Sequence, residues 1–363
     1  MTRVVVKIGS SSLTDARGGV VEAAIDKLCD EIAALRVLGH EVVAVSSGAI
    51  AAGVSVLGLD ERPTDVVTLQ ALAAAGQPRL LESYRRRLGH HGLVAAQALL
   101  DPHDFVDRRQ YLHARRTLDR LLQLGCVPVV NENDTIARDE LRYGDNDRLA
   151  ALVAHSLAAD VLVLLTDIDG LYTADPAKDP SATRIEHVAA DDPLLAIDAG
   201  RSAGDRGSGG MASKLEAARI ASWSGVRTTI ADAARDGVLV DAVAGVSVGT
   251  AFAATHTRRL PAHKLWIAFA AHVAGTVMVD DGARRAVVER ATSLLPAGVV
   301  SAQGRFHAGE TIEICAADGK PFARGMVSLD AAQLSRIAGM QTRDLPDGLV
   351  HEVVHRDDLV LLP

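Results

Sequence analysis

The sequence predicts an α/β protein in which an open, mainly parallel sheet is sandwiched by helices and followed by a small, mainly β domain. Three observations carry this. From residue 1 to about 250, short β-branched runs alternate with Ala/Leu-rich stretches of helical period, as parallel strands joined by crossover helices require. The pattern breaks at Thr255-His256-Thr257-Arg258-Arg259-Leu260-Pro261-Ala262-His263, and beyond it short apolar runs are separated by Gly and Asp. The length of 363 residues also exceeds the ~250–300 at which a single core stops growing, so two domains are expected. Their limits read as 1–256 and 273–358, with a linker over 257–272.

The strand candidates of the first domain are residues 4–6, 42–45, 94–96, 127–130, 161–165 and 226–230. Between the first two, Ile25, Leu28, Ile32 and Leu35 recur at steps of three and four, and Gly39 comes next as a C-terminal cap. In the second domain the runs 275–279, 311–314, 325–328 and 359–362 read as strands, with one helix over 281–290. Ala clusters such as Ala71-Leu72-Ala73-Ala74-Ala75 fit close-packed helix faces, and no internal repeat is visible.

Composition narrows the function. Hydrophobic residues make up 48% and charged residues 23%, which excludes a disordered chain. A net charge of −8 argues against a protein whose main business is neutralising a nucleic-acid backbone. The three cysteines, Cys29, Cys126 and Cys315, are far apart without C-x-x-C spacing, so neither a zinc site nor a disulfide framework is indicated and a reducing cytoplasm fits. No apolar stretch approaches the ~20 residues of a membrane span, and no signal peptide is visible at the N-terminus. The 13 His show no H-E-x-x-H and no close Cys partner, so they suggest no metal or triad role. Cations are 32 Arg against six Lys, which makes each lysine worth asking about.

In an open parallel sheet ligands bind beyond the carboxyl ends of the strands, so the residues just past each apolar run matter most. Val4-Val5-Val6 leads into Lys7-Ile8-Gly9-Ser10, and Val42-Val43-Ala44-Val45 into Ser46-Ser47-Gly48-Ala49. Val127-Pro128-Val129-Val130 leads into Asn131-Glu132-Asn133-Asp134, and the run ending at Leu165 into Thr166-Asp167-Ile168-Asp169-Gly170. Four strands thus deliver small or charged polar residues to one edge, which marks that edge as the active site.

Each motif has a chemical reading and an ordinary one. Lys7 at a rigid strand end beside Gly9 suits an anion approached by backbone amides, although a solvated lysine ending a strand would look the same. Ser47 reads as the cap of a helix whose N-terminus attracts carboxylate or phosphate, and a plain cap is compatible with that. Asn131, Asp134 and the run Gly144-Asp145-Asn146-Asp147 offer carboxylates and amides that suit an ammonium ligand with a neighbouring carboxylate; the second run serves equally as an acidic first helical turn. Gly207-Ser208-Gly209-Gly210-Met211-Ala212-Ser213-Lys214 precedes an amphipathic stretch and reads as a phosphate cradle, without being a Walker A motif. Arg85-Arg86-Arg87 and Arg115-Arg116 read as solvated helix faces. Tyr172 reads either as a contact to a nucleotide base or as hairpin filling.

Taken together, in order and with compatible spacing, these motifs and Thr166-Asp167-x-x-Gly170-Leu171-Tyr172 resemble the amino acid kinase family. The resemblance is to the branch whose acceptor is the side-chain carboxylate of L-glutamate. The region from about Gly275 resembles the PUA domain appended to many such kinases. The resemblance implies ATP and Mg²⁺, with ATP contacts at Lys7, Thr166, Asp167, Ser208, Gly209, Gly210, Met211, Ala212, Ser213 and Lys214. It implies that Ser47, Asp134 and Asn146, with Asn131 and Asp145 nearby, hold glutamate, and that Asp147 orients the lysines, leaving Lys7, Lys214 and Asp147 as the catalytic set. Mg²⁺ would be carried mainly by the ATP phosphates, not by a protein metal site. The product would be L-glutamyl 5-phosphate, the first intermediate of proline biosynthesis, with proline as inhibitor and a homo-oligomeric assembly. Two rival readings are an amino acid kinase for another small acid and an RNA-binding or RNA-modifying protein acting through the PUA-like tail. The tail from residue 265 carries nine basic against twelve acidic residues, which weighs against RNA as the primary partner.

Overall fold

The structure is a computed structural model; it describes residues 1–15, 19–105, 108–136, 145–190, 192–195, 209–254, 261–265, 267–268, 273–345 and 351–362. Gly144, Gly207, Ser208 and most of the expected linker lie outside these residues. The chain forms two compact units, the first carried by the elements up to residue 254 and the second by those from 261 onward.

The first unit begins with β1 (Arg3–Ile8), the one-turn helix α1 (Ser10–Leu13), α2 (Glu22–Val37), β2 (Glu41–Ser46), α3 (Ala49–Val56) and α4 (Val66–His90). Next along the chain are β3 (Ala95–Leu100), α5 (Arg108–Gln123), β4 (Val127–Glu132), α6 (Asp145–Ser156) and β5 (Val161–Thr166). A hairpin of β6 (Leu171–Tyr172) and β7 (Arg184–Ile185) and the short β8 (His187–Val188) lead to α7 (Gly209–Trp223), β9 (Arg227–Asp232), α8 (Val238–Ala244) and β10 (Gly249–Phe252).

Among the described residues, eight strands form one sheet in the order β3-β4-β2-β1-β5-β9-β10-β8. The first six are mutually parallel, and β10 runs antiparallel to β9. β5 is buried along its whole length, as a central parallel strand covered on both faces must be. Val4, Val6 and Ile8 of β1 share a core with Ile25, Leu28, Ile32 and Leu35 of α2, and Gly39 takes a positive φ of 82° just past that helix.

Every expected strand is found with shifted or extended ends, those expected at 325–328 and 359–362 beginning at Pro321 and Val354, and in the first unit two strands begin one residue after the expected start. The third strand starts one residue later than expected, at Ala95, and runs to Leu100; Val94 is 61% exposed, and an edge strand half open to water carries only a weak apolar pattern. The run at 226–230 becomes β9 over Arg227–Asp232. β8 and β10 are too short, and too polar at their ends, to stand out as apolar runs.

Close packing of α3 on α4 sets the floor beneath the end of β2. A methyl group added at Gly53 would lie 2.0 Å from the Leu72 carbonyl oxygen, and one added at Gly76 would lie 2.0 Å from that of Ala49. Only glycine at both crossing points lets the helices approach this closely.

The second unit comprises α9 (Ala262–Leu265), β11 (Val273–Val279), α10 (Asp281–Arg290), β12 (Val299–Gly304), β13 (Thr311–Cys315), β14 (Pro321–Val327), α11 (Ala331–Ile337) and β15 (Val354–Leu361). Its strands are ordered β12-β11-β13-β14-β15, with β11 and β13 parallel and the remaining pairs antiparallel. Val277, Ile312, Ile314, Ala323, Val327 and Val354 fill its separate core with Val287 and Leu334 from the helices. The Asp280 carboxylate accepts the Ala283 N–H at 2.7 Å to cap α10. β12 and α11 add to the elements the sequence predicts: β12 offers only Val299 and Val300 before turning polar, and α11 is short, marked mainly by its Asp330/Gln333 capping box.

Candidate active site

The carboxyl ends of the parallel strands meet at one level. Ile8 is in register with Ser46 and Leu165, and Thr166 with Asp232. Lys7, Ser46, Asn131, Glu132 and Thr166 are strand residues and not loop residues. The apolar runs stop earlier, but parallel neighbours keep offering hydrogen-bond partners for one or two residues more.

Strand alternation decides which face each residue takes. Because Val4, Val6 and Ile8 face α2, Lys7 turns to the opposite face, where α6 lies against β1. There its ammonium pairs with Asp147 Oδ1 at 2.6 Å, while Lys214 Nζ from α7 lies 3.4 Å from Asp147 Oδ2. Ser213 Oγ donates to that second oxygen at 2.7 Å. Lys7, Asp147 and Lys214 are 4%, 1% and 7% exposed, so two ammonium groups and one carboxylate leave one net positive charge buried at the edge. Burial pushes the Lys7 ammonium below its ordinary pKa against the pull of Asp147. Burial alone would raise the Asp147 carboxyl, but Lys7 and Lys214, with hydrogen bonds from Lys7 and Ser213, hold it below its usual value. Arg148 on α6 donates to Glu216 on α7 at 2.7 Å, a second tie between the helices that bring Asp147 and Lys214 together.

Beside this cluster lies an uncharged network. Asn146 Nδ2 donates to Ser47 Oγ at 3.2 Å and to Asn131 Oδ1 at 3.1 Å. Asn131 Nδ2 donates in turn to Gln77 Oε1 of α4 at 2.8 Å. Asn146 Oδ1 is buried and meets no partner among the described residues. Beneath Ser47, the Ser46 hydroxyl donates to the Ser47 carbonyl at 2.9 Å and lies 2.9 Å from the fully buried Tyr84 hydroxyl. The edge therefore offers a buried positive centre next to a cluster of amides and hydroxyls. That pairing suits a polyanion facing a zwitterion.

The amino acid kinase family model matches residues 2–232. The chain belongs to the amino acid kinase family. The PUA domain model matches residues 275–349. Over 99% of its length the chain is 48% identical to the glutamate 5-kinase of Thermobifida fusca, covering 93% of that protein. It is also 48% identical to the glutamate 5-kinase of Nocardia farcinica, covering 98% of this chain and 96% of that one. Among solved structures, an isopentenyl phosphate kinase substrate complex matches 69% of this chain and all of its own, with a TM-score of 0.51 and 20% identity. The carbamate kinase of Giardia lamblia bound to AMP-PNP matches 70% of this chain and 99% of its own, with a TM-score of 0.50 and 16% identity. These two likenesses are of the amino acid kinase fold.

The other expected residues of this amino acid kinase that are among those described lie at the same edge or close to it in sequence. Thr166 Oγ1 donates to Asp167 Oδ1 at 3.0 Å at the end of β5. Asp134 lies in the turn after β4, and Asp145 is the first residue of α6, its side chain outside the described set. Two expectations are corrected. Ser47 does not cap α3: Gly48 is the N-cap, with a left-handed φ of 103° and no side-chain cap bond, and Ser47 instead accepts from Asn146. Residues 209–214 do not precede a helix but form the first turns of α7, since the first four N–H groups of a helix lack partners anyway and glycine is cheapest there. Lys214 Nζ donates back to the Gly210 carbonyl at 3.1 Å. The Tyr172 hydroxyl donates to Asp169 at 2.8 Å within the β6–β7 hairpin. Arg86 and Arg87 tie α4 to Glu22 and Asp30 of α2.

Sequence reasoning missed Gln77 and Tyr84. Both lie on the buried stripe of α4, where Leu69, Leu72, Ala73, Gly76, Leu80 and Leu88 recur. An amide in step with apolar residues at i−4 and i+3 is the signal that could have found Gln77.

Proposed function

We infer that the chain transfers the γ-phosphoryl group of ATP to the side-chain carboxylate of L-glutamate, giving L-glutamyl 5-phosphate and ADP, the first step of proline biosynthesis. One observation carries the reading: the buried Lys7–Asp147–Lys214 centre with its single net positive charge, beside the Ser47–Asn146–Asn131 network. Near-full-length relatives named glutamate 5-kinase support the acceptor.

A glutamate side chain of pKa ~4.3 is already ionised at pH 7, so the attacking oxygen needs no general base. What the site supplies is alignment of two anions and stabilisation of charge on the transferring group. Lys7 and Lys214 do this from the two oxygens of Asp147, which holds both ammonium groups in place. Thr166, Asp167 and residues 208–214 border the nucleotide; Ser47, Asn131, Asp134, Asp145 and Asn146 hold the amino acid. Asp147 has both oxygens committed to lysines, so Mg²⁺ would be held by the ATP phosphates, where it would supply further positive charge. Proline binds at or near the glutamate pocket as an end-product inhibitor, and the working form is a cytoplasmic homo-oligomer.

Lys7→Ala and Lys214→Ala are each expected to lower kcat by ~10²–10³-fold while leaving the KM for glutamate within about threefold, since neither lysine touches the amide network. Steady-state kinetics on folded variants checks this. The reaction itself is tested with Mg-ATP, glutamate and hydroxylamine, which converts an acyl phosphate to a hydroxamate. ADP released without hydroxamate would mean another acceptor.

A further inference from the structure

We propose that Gln77 is a positioning residue that fixes the polarity of the amide network and thereby makes the site select an acceptor carrying an ammonium group. The proposal rests on the glutamate reading above and deepens it.

One donor in the network has a direction that cannot be reversed. The Glu132 backbone N–H gives its hydrogen to Asn131 Oδ1 at 2.9 Å, which forces the Asn131 amide to present oxygen on that side and NH₂ on the other. The NH₂ is buried and must find an acceptor, and Gln77 Oε1 is that acceptor at 2.8 Å. With Asn131 locked, its oxygen also receives Asn146 Nδ2. The second hydrogen of that nitrogen goes to Ser47 Oγ. Asn146 therefore has no donor left, and its buried oxygen is without a partner among the described residues. A buried acceptor without a donor costs free energy until one arrives. An ammonium group supplies it, whereas a carboxylate or an apolar carbon does not.

Gln77 itself is 8% exposed and sits on the apolar stripe of α4, where its amide oxygen satisfies Asn131. Without it, Asn131 Nδ2 is left unpaired as the amide stands, and the Glu132 N–H is left unpaired if the amide turns over, so a buried group goes unsatisfied either way and the preference for one polarity weakens. The Asn146 oxygen is then held in its direction less firmly. Gln77 acts through Asn131 and Asn146 and need not touch the acceptor.

The test compares glutamate with glutarate, the same five-carbon diacid lacking the amino group, in an ADP-release assay of the full chain. Gln77→Leu is expected to raise the KM for glutamate by ~10-fold, leave the KM for ATP unchanged, and lower the preference for glutamate over glutarate by a similar factor. In an Asn146→Ala background the same change should add little, because the residue it works through is gone. Gln77→Met, unbranched and of similar volume, serves if the leucine variant does not fold. An unchanged glutamate preference in a folded variant, or a full tenfold effect on top of Asn146→Ala, overturns the proposal. A wild-type enzyme that does not use glutamate would instead overturn the underlying reading of function.

Discussion

Asp147→Asn is expected to reduce kcat by about a thousandfold, from the loss of two positioned cations at once. The asparagine keeps the shape but removes the only charge that offsets Lys7 and Lys214 within the buried cluster. Lys7 is already held below its ordinary pKa by burial, with Asp147 pulling the other way. Without that pull its pKa falls further. A lysine is charged only below its pKa, so the basic limb of the variant's pH–rate profile moves to lower pH and residual activity rises on acidification. A variant profile that overlays the wild type after scaling would show that Asp147 does not set the charge state of Lys7. Stability responds with the opposite sense. The Asp147 carboxyl lies below its usual value when folded, so its contribution is present above the ordinary carboxyl range and is lost as pH falls through that lower value.

Gly76→Ala is expected to cost about 3 kcal/mol, lowering Tm by ~6–12 °C in a domain of this size. The added carbon would overlap the Ala49 carbonyl, and neither helix backbone can yield locally. Gly89 lies in the same helix with nothing within 4 Å of an added methyl, so Gly89→Ala should stabilise slightly. Thermal unfolding of the two variants checks the contrast, and equal melting temperatures would rule out the close crossing of α3 and α4. Because α3 starts directly after Ser47 and Gly48, Gly76→Ala should also raise the KM for glutamate.

Much of this was legible in the sequence because the period of apolar residues reports burial directly. Runs such as Val161–Leu165 are buried on both faces and read as strands at once. The motif residues were legible because a parallel sheet collects strand ends at a single edge. What escaped was set by partners remote in sequence. Whether Lys7 turns toward α2 or α6 depends on strand parity against helices far along the chain, and Gln77 is polar only where Asn131, 54 positions later, needs an acceptor. Edge strands such as β12 escaped because one face needs no apolar residue. The exact start of α7 escaped because glycine is read as loop unless the helix's open N-terminal amides are considered.

The Lys7–Asp147–Lys214 cluster joins the first strand of the chain, a helix near its middle and a helix some 200 residues after the start. Up to β5 the chain supplies only Lys7 and Asp147, a neutral pair. The unbalanced positive charge appears only when α7 docks. The net charge that this cluster presents to a polyphosphate thus depends on the far half of the sheet as well as the near one.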